Sequence, residues 1–164
     1  MIIIGIDPGT IICGYGVIVV EGSSYQAIDY GCIKPPASYK ISDRYLVIFN
    51  AIEELLNKHK PQVLVVETQY VDKNVQSTIK LGMVTGVVTV ASARNGVPIA
   101  EYSPAKAKLA VVGNGRASKK QVQKMVQMLL GLLHPPEPED AADALALAIC
   151  HAQASKNVKI KTLS

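Results

Sequence analysis

The order of apolar segments predicts an α/β chain built on one mixed five-stranded sheet, three antiparallel strands followed by two parallel ones, with helices on both faces. Three observations predict it. Three short apolar runs follow one another in hairpin succession at the start, two later apolar runs are each preceded by a helical stretch, and the last helical stretch is free of charge from Ala144 to Ser155.

Residues 2–6, 15–20 and 25–33 are bounded by Gly, Ser or Asp-Pro-Gly and read as the three hairpin strands. Ser42 is placed to cap a helix in which Tyr45, Ile48, Phe49, Ile52, Leu55 and Leu56 recur at three- and four-residue spacing, ending before Pro61. Residues 63–66 are wholly apolar and too few for a helix, so they read as a buried parallel strand with Glu67 at its carboxyl end. Residues 75–94 form a second helix whose Gly82 and Gly86, one turn apart, allow a close neighbour, and residues 97–101 form the fifth strand. Ser118 caps a third long helix with Val122, Met125, Val126, Leu129 and Leu130 on one stripe. Pro135, Pro136 and Pro138 stiffen the approach to a last helix at about 139–154. The expectation is one domain over residues 1–155 and a frayed basic tail at 156–164.

At 164 residues, 49% hydrophobic and with a net charge of +4, the chain can fill one core and is not disordered by self-repulsion. The opening MIIIGIDPG lacks a positive n-region and its apolar run breaks at Asp7, unlike a secretory signal. Thirteen uncharged residues separate Lys80 from Arg94, short of the roughly 20 that a bilayer requires. Cys13, Cys32 and Cys150 are odd in number, widely spaced and without C-x-x-C, which argues against a disulfide framework or zinc site. A cytoplasmic protein with cysteines as small core residues is expected.

Charge is segregated along the chain. From Tyr102 to Pro136 there are Lys106, Lys108, Arg116, Lys119, Lys120 and Lys124 and no acid, and then Glu137, Glu139, Asp140 and Asp143 follow without a base. Such sorting suits a protein that grips a polyanion and also holds cations. Asp7 ends an apolar strand, where a carboxylate needs compensation, although Asp-Pro-Gly is equally a plain turn. Glu67 lies where ligands collect in open α/β sheets. Asp140 and Asp143 share a helix face that continues as Leu147, Cys150 and Ala154. Taken alone, that pair could serve only the helix dipole. If the uncharged helix packs on the sheet, however, its acidic start comes toward Asp7 and Glu67. Four converging carboxylates are tolerable when divalent cations balance them, and all-oxygen ligands select Mg²⁺ or Mn²⁺. Two such ions suit phosphodiester hydrolysis.

The segments GIDPGT at 5–10, GYG at 14–16, VVE at 65–67, VVGNG with Lys119 following, and DAADALALAI at 140–149 together resemble the RuvC-type Holliday-junction resolvases over nearly the whole chain. The resemblance implies an RNase H-like fold, a homodimer, and paired Mg²⁺-dependent nicking of four-way junction DNA, with a RuvAB-type branch-migration motor as a further partner. It puts the family's metal-binding and catalytic acids on Asp7, Glu67, Asp140 and Asp143. It also puts the base-contacting aromatic on Tyr70 and the functional basic positions on Lys108 and Lys119. Arg116, Lys120 and Lys124 join these as candidates for phosphate contact because they share the acid-free stretch. The Gly113-Asn114-Gly115 loop could admit a sugar-phosphate backbone or be only a turn. Many relatives carry Gln directly after the strand-end Glu. Here Thr68 stands there and Gln69 follows, from which an altered sequence preference or rate is expected, with the acids unaffected.

Three alternatives compete. Actin-like ATPases and sugar kinases open similarly but clamp nucleotide between two such domains, for which this chain is too short. An RNase H-like nuclease acting on RNA or an RNA–DNA hybrid would use the same acids. A non-catalytic junction-binding module would need the bases but no acidic cluster.

Overall fold

The computed structural model describes residues 1–68 and 75–161, with side chains of the last helix described through Lys156. The strands are β1 (Ile2–Asp7), β2 (Cys13–Glu21), β3 (Ser24–Ile33), β4 (Val63–Glu67) and β5 (Ile99–Tyr102). They form one sheet in the order β3-β2-β1-β4-β5, with β1–β2 and β2–β3 antiparallel and β1–β4 and β4–β5 parallel. The helices are α1 (Ile41–His59), α2 (Val75–Arg94), α3 (Pro104–Val112), α4 (Lys119–Leu130) and α5 (Glu139–Lys161).

Successive strand residues point to opposite faces, and that period divides the core in two. Ile4, Ile6, Leu64 and Val66 pack with Ile48, Ile52 and Leu56 of α1 and Val84 and Val88 of α2. Ile3, Val63 and Val65 pack on the other face with Ala107 and Val111 of α3, Val122 and Val126 of α4, and Leu145 and Ile149 of α5. Both strands are therefore apolar up to their terminal acids, Asp7 and Glu67. The same parity assigns Asp7 to the face of Ile3 and Gly5, and Glu67 to the face of Val63 and Val65. Both acids thus lie on the α5 side at the carboxyl edge of the sheet.

Several local expectations are corrected. The N-cap of α1 is Lys40, without a side-chain cap bond, and Ser42 lies inside the first turn, where its hydroxyl donates to Asp43 at 3.4 Å. The fifth strand starts two residues later than the apolar run, because the N–H groups of Gly96 and Val97 are still used to close α2 onto Ala93 and Ser92. The acid-free stretch holds an unanticipated helix, α3, capped by the Ser103 side chain with Pro104 in its first turn. The backbone of α5 stays helical through Lys161, beyond the expected end at 154. Among the described residues nothing comes within 4 Å of a Cβ built on Gly82 or Gly86, so none of those residues uses the pair for close packing. Ser118 does cap α4, in a reciprocal box with Gln121.

Candidate active site

The carboxyl ends of β1 and β4 and the faces of α3, α4 and α5 enclose a cleft of about 230 Å³. Asp7, Glu67 and Asp143 line it together with Lys108 and Lys119, over an apolar wall of Ala107, Val122, Ala146 and Leu147. Each side chain arrives for a local reason. Asp7 and Glu67 terminate neighbouring parallel strands directly after the paired residues Ile6 and Val66. Asp143 is half-buried at the start of α5 because the next turns, with Leu147 and Cys150, are driven into the core. Lys108 rides on α3, and Lys119 follows the capped start of α4.

Asp140 is offset from that cleft. Its backbone and Cβ lie over Gly14 of β2, on the side nearer β3. Its charge still reaches Asp7, Asp143 and Lys119. Among the described residues, no three His, Cys, Asp or Glu side chains are drawn into a ready metal-ligand group. The acids share one region without closing on a common point, and a lysine stands among them: Lys119 Nζ is 3.6 Å from Asp143 Oδ2 and 3.8 Å from Glu139 Oε2. Glu139, in sequence only one member of an acidic run, is thus a second partner of Lys119.

The electrostatics are those of crowded anions. Burial, then the carboxylates of Glu67, Asp143 and Asp140 in that order, push the Asp7 carboxyl from 3.8 up to about 8, against a pull from Lys119. Burial and then Asp143 raise Glu67, with Lys108 and Lys119 opposing. Burial raises Asp143 as well, and Lys119 offsets part of that by charge and by hydrogen bonding. Lys119 in turn is held above its ordinary range: burial works against its charge, and Asp143, Asp140, Glu139 and Asp7 outweigh burial. Oxygen donors whose mutual repulsion already favours proton uptake fit a hard divalent cation, which would replace protons as the compensating charge.

Arg116 and Lys120 are exposed and do not line the cleft; the Arg116 N–H donates to Asn114 Oδ1 in the loop between α3 and α4. Lys124 is also exposed. Tyr70 and Gln69 lie outside the described residues, while Thr68 donates its backbone N–H to the Tyr102 carbonyl at 2.9 Å, continuing the sheet by one residue. Cys13 and Cys150 are buried as expected, whereas Cys32 is half-buried near the first turn of α5; all three thiols are free.

A sequence-family model described as "Crossover junction endodeoxyribonuclease RuvC" matches residues 3–151. The chain is 65% identical over 153 residues to the crossover junction endodeoxyribonuclease RuvC of Protochlamydia amoebophila, covering 93% of this chain and 91% of that one. Thermus thermophilus RuvC superposes with a TM-score of 0.87 at 34% identity, covering 95% of this chain and 96% of the other. T. thermophilus RuvC in complex with its Holliday junction substrate gives 0.89 at 34% identity, with 94% of each chain covered. The sheet order and helix placement are accordingly those of the RNase H-like resolvases. With a cleft of acids and lysines at the carboxyl edge of that sheet, and these likenesses spanning nearly its whole length, the chain belongs to the RuvC family of crossover junction endodeoxyribonucleases.

Proposed function

We propose that this chain resolves four-way DNA junctions by Mg²⁺-dependent hydrolysis of one phosphodiester per subunit, with Mn²⁺ able to substitute. The observation that carries the reading is the meeting of Asp7, Glu67 and Asp143 from three separate elements in one cleft with Lys108 and Lys119. A nucleic-acid-binding module without chemistry would not concentrate carboxylates where phosphate must approach.

Asp7, Glu67, Asp140 and Asp143 are the residues that would hold the metal. When bound, it supplies an activated water and a counter-charge for the oxygen that leaves. The protein's own groups do the rest. Lys108 and Lys119 draw the scissile phosphate against the cleft wall, and Lys119, already tied to Asp143, orients that carboxylate as it does so. Arg116, Lys120 and Lys124 present charge to phosphates farther along the strand, and Tyr70 stacks on an unpaired base beside the cut. Thr68, in place of the Gln usual in the family, bears on sequence preference.

A two-fold junction presents two equivalent phosphates, which a symmetric pair of subunits matches. The α1–α2 side supports such a homodimer. Leu46, Ile79, Met83 and Val90 are exposed there, and a groove of about 500 Å³ runs between Tyr45, Phe49, Gly86 and Val87. The open space beside Gly82 and Gly86 on the same helix would let a second copy approach closely. Association with a RuvAB-type motor and a cytoplasmic location belong to the same reading; among the described residues no helix is long and apolar enough to cross a membrane.

The test is incubation with synthetic four-way junction, linear duplex and RNA–DNA hybrid, with and without Mg²⁺. Paired nicks of the junction alone, only with Mg²⁺, are expected. Preferential cutting of the hybrid, or binding without any cleavage, would overturn the reading in favour of one of the alternatives.

A further inference from the structure

Gly14 lies at the same edge of the sheet as the acids: it pairs with Asp7 across β1–β2 and with Cys32 across β2–β3. The first turn of α5 lies directly on it. A Cβ built on Gly14 would fall 2.1 Å from the Asp140 carbonyl oxygen, 2.5 Å from its carbonyl carbon and 3.0 Å from its Cβ. Those atoms are helix backbone and the root of a side chain, so they cannot swing aside as a flexible side-chain tip would. Nor is glycine needed here for its conformation, because Gly14 is not among the residues with positive φ. Its missing side chain serves only to admit Asp140. Next to it, the Cys32 thiol is close enough to feel both the Asp140 carboxylate and the Ala141 backbone, so the same helical turn lies over β3 as well.

The neighbouring glycines show how close the whole helix comes. Gly5 and Gly16 pair across β1–β2, and a Cβ on either would meet the Ala144 carbonyl oxygen at 2.0 Å or the Leu145 side chain at 2.6 Å. Those contacts lie farther down the helix. Gly14 is the position whose filling would move Asp140 itself.

We propose that Gly14, with Cys32 beside it, is a positioning seat for the nuclease site: it sets the height of Asp140 above the sheet, and so its separation from Asp7, on which joint cation binding depends. This rests on the metal reading above, and the experiment is arranged so that the two can fail separately. Mn²⁺ binding is measured by electron paramagnetic resonance on DNA-free full-length wild type, Gly14→Ala, Cys32→Ala and Asp140→Asn, with junction affinity in EDTA and thermal unfolding alongside. Gly14→Ala should bind Mn²⁺ about tenfold or more weakly, the scale seen when groups that orient metal ligands are altered, with junction affinity in EDTA within about twofold of wild type. A lower melting temperature with wild-type Mn²⁺ affinity would make Gly14 merely structural and overturn the proposal. If Gly14→Ala does not fold, Cys32→Ala decides: weaker Mn²⁺ binding at wild-type junction affinity supports the seat, and unchanged Mn²⁺ affinity overturns it. Failure of wild type to bind Mn²⁺ would remove the metal reading and the seat together. Wild-type binding that Asp140→Asn loses and Gly14→Ala keeps would remove the seat alone.

Discussion

Replacing Asp7 by Asn should stabilise the metal-free protein, although it removes a residue on which activity is proposed to depend. The Asp7 carboxyl titrates near 3.8 when unfolded and at about 8 when folded, raised by burial and then by Glu67, Asp143 and Asp140. Folding therefore takes up a proton between those values. The stability contributed by the protonated carboxyl is full below 3.8 and is lost progressively as pH rises to about 8. Near pH 7 about three units of that window have been crossed, and at about 1.36 kcal/mol per unit the ceiling on the loss is about 4 kcal/mol. Asn keeps the shape and cannot ionise. Allowing for screening at the open side of the cleft, Asp7→Asn should gain about 2–4 kcal/mol at neutral pH.

For a chain of this size that gain corresponds to a rise of roughly 5–15 °C in melting temperature. The assay is thermal unfolding in EDTA from about pH 4 to pH 8, repeated with Mg²⁺. The advantage of Asp7→Asn should shrink toward acid pH, where the wild-type carboxyl is neutral in both states. Mg²⁺ should raise the melting temperature of wild type more than that of the variant. A variant no more stable than wild type at neutral pH in EDTA, or an advantage independent of pH, would refute the account of the site as repelling carboxylates.

Lys119→Ala removes the cation 3.6 Å from Asp143; cleavage should fall by about tenfold or more, and the slope of log binding constant against log salt should become shallower by about one, read by filter binding over a salt series. Ser118→Ala breaks the reciprocal cap with Gln121 at the start of α4, which should cost about 1 kcal/mol in urea unfolding and slow cleavage in proportion to fraying at Lys119. Asp29 accepts from Lys58 at 2.7 Å, His59 at 2.8 Å and the Tyr15 hydroxyl at 3.3 Å. Burial works to raise that carboxyl, but the bonds from Lys58 and His59 hold it below its ordinary value. The stability it contributes is present above 3.8 and lost as pH falls below that value. Asp29→Ala should therefore cost about 1 kcal/mol at neutral pH and converge with wild type in strong acid, with junction cleavage unchanged.

The sheet was legible because alternation in β1 and β4 leaves little choice. Ile3 and Ile4 are both apolar, so each must face a separate layer of helices, and a strand buried on both sides belongs in the middle. Counting by two from Ile3 to Asp7 and from Val63 to Glu67 then puts both acids on one face. The start of α1 was not legible, since Ser42 has the chemistry of a cap but spends its hydroxyl on Asp43 while the chain turns at Lys40. Helix α3 is hidden for a different reason: it is short and buries only Ala107 and Val111, which give little periodic contrast. The Ser103–Pro104 pair was its one clear signal. The offset of Asp140 could not be read from spacing at all, because it depends on how closely α5 approaches β1 and β2, a closeness that Gly5, Gly14 and Gly16 together permit.

The segregation of charge along the sequence is undone in space, and that has a consequence for how substrate and cation depend on each other. Lys119 comes from the acid-free stretch and Glu139 and Asp143 from the acid run, yet they meet within 4 Å. The two cleft lysines face Asp7, Glu67 and Asp143, and the charge of Asp140 reaches the cleft from its side, so the lysines alone leave an excess of negative charge wherever those carboxylates are ionised. A phosphate entering then would be repelled by what remains, whereas added divalent charge turns the same cleft attractive. DNA and cation should therefore favour each other's binding, by the same factor in both directions, since linkage is reciprocal. Raising Mg²⁺ should tighten junction binding to an Asp140→Asn variant less than to wild type, because the variant starts with less repulsion to relieve. Equal tightening in both would mean that the cation acts on the DNA alone.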